Sequence, residues 1–226
     1  MIILTGASGG IGEAMLEGLS VLDDVIGIYN NSLPKLYTGK GISFQKLNLS
    51  NEDEINIFVE KNKAILTNIT VIHGAGISES SLAVNHKKDK WEDVIGINLT
   101  ANFLLTKAII PLMIKQKWGR IVHFSSIRVA SGTLSYSTTK HGLLGMSKVL
   151  VKEYAKFNIT SNSLILGAFN TGMFQSLREK AKKEMVNQIP SKKLGDVDNI
   201  VSAIKFLVES PFVNGASIRI DGGASV

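Results

Sequence analysis

The chain has 226 residues, a net charge of +6 and no cysteine, which excludes disulfides, thiolate nucleophiles and zinc–thiolate sites. Apolar residues at 44% against 19% charged supply a sizeable core and exclude a disordered chain. The lysines are dispersed with no interleaved aromatic residues, so the positive charge reads as a field that steers an anionic cofactor or an acidic carrier, not as a nucleic-acid surface.

Met1-Ile-Ile-Leu-Thr reads as a strand from the first residue, leaving no room for a signal peptide. No apolar run reaches the roughly 18 residues of a membrane span, so a cytoplasmic protein without a membrane partner is expected. Short apolar runs then alternate with longer helical patterns. Strands are expected at Ile2–Thr5, Val25–Tyr29, Ile42–Leu47, Thr70–His73, Ile121–Phe124, Ile159–Leu166 and Ser217–Ile220. Helices are expected at Ile11–Leu22, Glu52–Lys61, Trp91–Lys117, Tyr136–Phe157, Lys180–Ile189 and Val197–Glu209, with a kink or break at Pro111. Continuous Ile/Val/Leu runs suit strands buried on both faces. The alternation predicts an α/β fold, a doubly wound parallel sheet of about seven strands with helices on both faces. No linker or repeat divides the chain, and one domain over residues 1–226 is expected.

Thr5-Gly6-Ala7-Ser8-Gly9-Gly10-Ile11-Gly12 follows the first strand and opens the first helix. Glycines let the backbone approach a pyrophosphate, and a helix start offers free N–H groups, so Gly6, Ser8, Gly9, Gly10, Ile11 and Gly12 are candidate nucleotide ligands. The plainer reading is a flexible turn with capping glycines. No lysine follows Gly10, which removes the phosphate-neutralising group a P-loop needs. The four histidines lack metal-ligand spacing and no carboxylates cluster, so no metal is expected.

Tyr136 and Lys140, four residues apart on a helix, share one face. A phenol normally holds its proton to a pH of about 10. A nearby ammonium favours the phenolate, so the pair is expected to exchange a proton near neutrality. Alone, Tyr-x-x-x-Lys more often decorates a solvated face. His141 points about 100° away around the helix and reads as structural. Leu143, Leu144, Met146, Val149 and Leu150 read as packing residues of a core or subunit interface.

Taken together, the sequence resembles the short-chain dehydrogenase/reductase family from residue 1 to residue 223. Thr5, Gly6, Gly10 and Gly12 meet its opening glycine motif, and Asn48-Leu49 follows the third strand, where the family contacts adenine. His73-Gly74-Ala75-Gly76 stands where Asn-Asn-Ala-Gly is usual. Asn98, Ser126, Tyr136 and Lys140 match the catalytic set, and Asp221-Gly222-Gly223 the closing motif. The helix around Asn98–Ala108 and the stretch Trp118–Val122 are similar to 3-oxoacyl-carrier-protein reductases.

The resemblance implies a Rossmann-type domain that transfers hydride between a nicotinamide and a carbonyl or alcohol. Tyr136 would be the acid or base, Lys140 would bind the nicotinamide ribose and lower the tyrosine pKa, and Ser126 would hold the substrate oxygen. Asn98 would anchor a water leading from Lys140 to solvent. Each has a plainer reading: a serine after a strand caps a turn, and an asparagine at a helix kink bonds the backbone. Gly74 and Ala75 would flank the cofactor, and Gly167, Phe169 and Thr171 would line the nicotinamide. The resemblance also implies a homodimer or homotetramer.

Three departures qualify this. Ser126 precedes Tyr136 by only ten residues, a short substrate loop; His73 and Gly74 replace two asparagines; and Leu166 replaces a proline, which would loosen the backbone there. The polar segment Gly172–Pro190 is expected to form a mobile lid. At the end of the second strand, Asn30, Asn31 and Ser32 include no carboxylate, and with Lys35 nearby they favour NADP(H) over NAD(H). The expected activity is reduction of a carbonyl such as a 3-oxoacyl thioester, with Lys117 and Arg120 as a dock for an acyl carrier protein. The alternatives are a reductase of a sugar, steroid or small ketone, and a non-catalytic dinucleotide-binding regulatory module.

Overall fold

In a computed structural model describing residues 1–34, 40–175 and 177–226, seven strands form one sheet. They are β1 (Ile2–Thr5), β2 (Val25–Tyr29), β3 (Ile42–Lys46), β4 (Thr70–His73), β5 (Gly119–Ser126), β6 (Ile159–Leu166) and β7 (Ser217–Ile220). Their order is β3-β2-β1-β4-β5-β6-β7, and every pairing is parallel. The chain winds outward from β1 in both directions, so all seven carboxyl ends open on one side. The crevice at that side, where the winding reverses between β1 and β4, is where such sheets bind ligands.

Helices α1 (Gly10–Ser20) and α8 (Val197–Glu209) cover one face; α2 (Glu52–Asn62), α4 (Ala101–Gln116) and α5 (Leu134–Tyr154) cover the other, with α3 (Lys88–Ile95) leading into α4. Two cores result. Met15, Leu16, Leu19, Ile200, Ile204 and Leu207 pack on Leu4 and Ile72 on the first face. Ile55, Leu105, Ile109 and Met113 pack on Ile3, Val71 and Ile121 on the second. Asn51 starts α2, its Oδ1 accepting the N–H groups of Asp53 and Glu54 at 3.0 and 3.2 Å.

The irregularity expected at Pro111 lies elsewhere. The α4 assignment runs through Pro111, and the break is a π-turn over Gly96–Thr100, carrying Asn98 between α3 and α4. By length and composition Lys88–Gln116 is apolar enough to cross a bilayer. Its buried stripe of Ala101, Leu105, Ile109 and Met113 instead packs on the sheet. Strand β5 is longer at both ends than its apolar run, because Gly119 and Ser126 continue the ladder with β6. The segment expected to form a lid holds two helices, α6 (Gly172–Gln175) and α7 (Glu179–Gln188), and its end is anchored by the buried Ile189.

Ile72 lies fully buried in the central strand β4, so Ile72→Ala should lower unfolding free energy by about 2–5 kcal/mol. Val21→Ala, at a position 81% exposed, should stay within about 0.5 kcal/mol. Denaturant midpoints measure both, and equal losses would contradict this placement of the core.

Candidate active site

The glycine turn is shaped by backbone contact. Gly6 has φ +71°, and a Cβ there would lie 2.7 Å from the Ala75 Cα. At Gly12 a Cβ would lie 2.1 Å from the Gly6 carbonyl oxygen. Gly9 and Gly10 are exposed, Ser8 and Ile11 half-buried, and no side chain caps the start of α1. A bare helix start beside exposed glycines fits a pyrophosphate, which the free N–H groups can bind. Thr5 ties this turn to the next loop: its Oγ1 accepts the N–H groups of Gly74 and Ala75 at 3.0 and 3.1 Å.

Asn30, Asn31 and Ser32 emerge exposed from β2; Lys35 lies outside the described residues. Asn48 follows β3 and its Oδ1 accepts the Ser50 N–H at 3.1 Å. The Leu49 side chain is 8% exposed and packs in the core, so only its backbone can face an adenine. Phe169 requires a larger correction. Its ring is buried in the α1/α8 core and fills the space over Gly195, where a Cβ would approach it to 2.5 Å. The ring is committed to that core, so only the Phe169 backbone can join Gly167 and the half-buried Thr171 as candidates at the nicotinamide end. Leu166 is the last residue of β6. It pairs with Ile220, and the Gly167 N–H donates to the Ile220 carbonyl at 3.0 Å.

Asn98, Ser126, Tyr136 and Lys140 converge at the ends of β4 and β5. The buried Asn98 is a strap: its Oδ1 accepts the Ile77 N–H at 2.8 Å, and its Nδ2 donates to the Ile77 carbonyl at 2.9 Å and to Thr139 Oγ1 at 3.2 Å. The π-turn aims the carboxamide at this loop. Gly76 runs beside both groups: a Cβ there would be 3.4 Å from Asn98 Oδ1 and from Lys140 Nζ, in ordinary contact with each. Ser125 Oγ donates to the Lys140 carbonyl at 2.8 Å, tying β5 to α5 and leaving Ser126 to face the crevice.

The electrostatics differ from the expectation. Burial raises the Tyr136 phenol above its ordinary value, opposed by a hydrogen bond with Ser126 and by the charge of Arg128. Lys140 is not the group that counters this. Its Nζ lies 5.7 Å from the Tyr136 ring centroid and donates to the Phe124 carbonyl at 2.8 Å. Burial lowers the Lys140 ammonium to about 8.

Sequence reasoning missed three groups. Arg128 lies in the Ser126–Tyr136 loop. Thr139 sits between Tyr136 and Lys140 and holds Asn98. His73 and His123, in register across β4 and β5, stack with ring centroids 5.0 Å apart. His73 Nε2 bonds Thr106 Oγ1 at 2.9 Å and His123 Nε2 bonds Ser161 Oγ at 3.3 Å. Burial drives both pKa values down, that of His123 to about 3. The spacing of these histidines along the chain carries no sign of the strand pairing that stacks them. His141 is exposed and bonds the Ser137 carbonyl through Nδ1 at 2.9 Å, in keeping with a structural role.

An unfolded Lys140 would hold its proton to 10.5 and the folded one to about 8. Between these values the unfolded chain binds more protons, so this group makes stability rise with pH; below about 8 its penalty is complete. The cofactor-free chain should therefore gain stability relative to Lys140→Met from about pH 8 to about pH 10. Urea unfolding at several pH values checks this, and a flat difference would mean that the ammonium is hydrated.

The family profile of short-chain dehydrogenases matches residues 1–182. Nodulation protein G of Rhizobium sp. (strain N33) is 32% identical, the alignment covering 99% of this chain and 96% of the relative. A 3-oxoacyl-(acyl-carrier-protein) reductase of Thermotoga maritima is 36% identical over 98% of this chain and 96% of its own length. A crystal structure assigned as a gluconate dehydrogenase from Agrobacterium tumefaciens superimposes with a TM-score of 0.90, covering 100% of this chain and 95% of that one at 23% identity, a likeness of fold. With the glycine turn, the parallel sheet and the convergent Asn98, Ser126, Tyr136 and Lys140, these matches establish that the chain belongs to the short-chain dehydrogenase family of oxidoreductases.

Proposed function

We propose that the chain is an NADP(H)-dependent reductase of carbonyl compounds, with 3-oxoacyl thioesters as its substrate class. The observation that carries the reading is the convergence of Ser126 and the Tyr136 phenol, close enough for Ser126 to favour the phenolate, beside the buried Lys140 whose Nζ donates to the Phe124 carbonyl. Gly6, Ser8, Gly9, Gly10, Ile11 and Gly12 would hold the pyrophosphate, Asn48 with Gly74 and Ala75 the adenosine side, and Lys140 with Gly167 and Thr171 the nicotinamide side. A bound nicotinamide supplies or accepts the hydride at the carbonyl carbon. The protein supplies the proton. Ser126 holds the substrate oxygen within reach of the Tyr136 hydroxyl, and Tyr136 gives its proton to that oxygen as the carbon is reduced.

A phenol held above its usual pKa stays protonated at neutral pH, which suits an acid in the reducing direction. The Lys140 ammonium, lowered towards neutrality, can pass a proton on to the phenolate left behind. One Asn98 Oδ1 lone pair remains beyond its bond to Ile77 for a water in that path.

The thioester reading draws on the 3-oxoacyl reductases among the relatives and on apolar side chains at the carboxyl end of the sheet. Ile77, Leu82 and Val84 follow β4, and Val129 and Leu134 follow β5; all five are exposed. The Ser81–Thr133 bridge joins the two loops, so these side chains flank one opening suited to an acyl chain. The dock expected for a carrier protein is not at this opening. Arg120 is 3% exposed, donates to the carbonyls of Gly119, Asn158 and Val208, and packs on the Trp118 ring. It and Lys117 stand at the amino end of β5, opposite the site.

Tyr136→Phe should lower turnover of an acetoacetyl thioester by at least about 100-fold while leaving dinucleotide affinity within about threefold. Retained turnover removes Tyr136 from the reaction. With uncharged Asn30, Asn31 and Ser32 beside the ribose, NADPH should bind at least about tenfold more tightly than NADH. Fluorescence titration measures this, and tighter binding of NADH refutes the assignment.

A further inference from the structure

We infer that Arg128 is a substrate-recognition residue that holds a second oxygen of the substrate, on the carbon chain next to the reacting carbonyl. In a free 3-oxo acid that oxygen belongs to the carboxylate; in a 3-oxoacyl thioester it is the carbonyl oxygen of the thioester. The inference rests on the reductase reading and adds the feature by which that site selects among ketones.

The loop between Ser126 and Tyr136 holds Arg128 by its backbone from both sides. Its N–H donates to Ser126 Oγ at 3.1 Å. Its carbonyl accepts the hydroxyl of Ser137, the neighbour of Tyr136, at 2.8 Å. Ser137 Oγ also lies 2.8 Å from Thr133 Oγ1, whose hydroxyl donates to the Ala130 carbonyl at 2.7 Å. The short loop is thus stitched to the first turn of α5. The main-chain position of Arg128 is set by Ser126, which would receive the substrate oxygen, and by Ser137, the neighbour of Tyr136.

The Arg128 N–H occupies one Ser126 lone pair, which leaves the serine proton to point at the Tyr136 hydroxyl or at a substrate oxygen. The guanidinium is close enough to Tyr136 for its charge to favour the phenolate. An Arg side chain is a planar fork that grips paired oxygens, and its charge does not depend on pH in the working range. A carbonyl compound bound at Ser126 and Tyr136 would therefore lie within the field of the Arg128 cation. A simple ketone has nothing to offer that cation. A 1,3-dioxygenated substrate does, and the exposed Val129 beside Arg128 is available to the rest of the chain.

The test compares acetoacetate, an acetoacetyl thioester and 2-pentanone, each with NADPH, in the unaltered protein, Arg128→Gln and Arg128→Lys. Both substitutions keep the backbone contacts and replace an exposed side chain, and thermal melting with cofactor titration confirms that each variant is folded and loaded. Arg128→Gln should lose roughly 10- to 100-fold more kcat/KM on acetoacetate or the thioester than on 2-pentanone, mostly through KM. Arg128→Lys should recover part of that loss. A larger loss on acetoacetate identifies the carboxylate as the preferred partner, and a larger loss on the thioester identifies its carbonyl. Butyrate has the carboxylate without the ketone, and its competitive inhibition should weaken in parallel with the acetoacetate effect. Equal losses on all three substrates, or none, overturn the role of Arg128. Absence of turnover on every substrate by the unaltered protein overturns the reductase reading itself.

Discussion

A lysine ammonium enclosed by protein is the constraint around which the site is arranged. Lys140 is almost entirely covered and is met by one main-chain carbonyl, that of Phe124. Isolating a charge in this way is costly, and its structural consequence is visible in the pKa lowered to about 8. The surrounding contacts hold the helix segment that carries it. Ser125 grips the Lys140 carbonyl, and Thr139, the preceding residue, accepts a hydrogen bond from Asn98. Asn98 in turn grips the loop after β4, so three elements are locked to one another at the point where the ammonium emerges.

The parallel sheet makes this arrangement possible. Because every strand runs the same way, the turn after β1, the loop after β4 and the loop after β5 share one edge. Thr5 joins the first two, and the Ser81–Thr133 bridge joins the last two. A nucleotide cradle and a proton-donating pair are thereby positioned by short-range contacts between neighbouring loops, without an inserted domain. The opposite edge is closed by Arg120, whose guanidinium joins carbonyls from three segments.

Much of this was legible because its causes are local. Continuous β-branched runs mark strands buried on both faces, and a glycine cluster between strand and helix marks a phosphate cradle. What could not be read depends on partners far along the chain. Arg120 looks like surface charge until Val208, 88 residues away, receives its Nε–H. Phe169 looks available to a ligand until α1 and α8 enclose it. The irregular turn at Asn98 has no proline or glycine signal strong enough to outweigh Pro111; its observable partner is the backbone of Ile77, across a loop. The lysine–phenol juxtaposition is legible in the four-residue spacing, whereas the direction in which burial moves each group is not. Spacing says which groups meet, whereas the balance of burial and charge decides which form each adopts.

The stacked imidazoles of His73 and His123 place two uncharged bases in the floor of the crevice, within reach of the Lys140 field. In an open chain such rings take up protons below about 6.5; inside the sheet His123 resists until about 3, and His73 is held well below its usual value. Acidification across that interval therefore favours the open chain, since only there do both bases become charged freely. One contribution to acid unfolding is thus lodged in β4 and β5, the two strands whose ends carry the reaction centre.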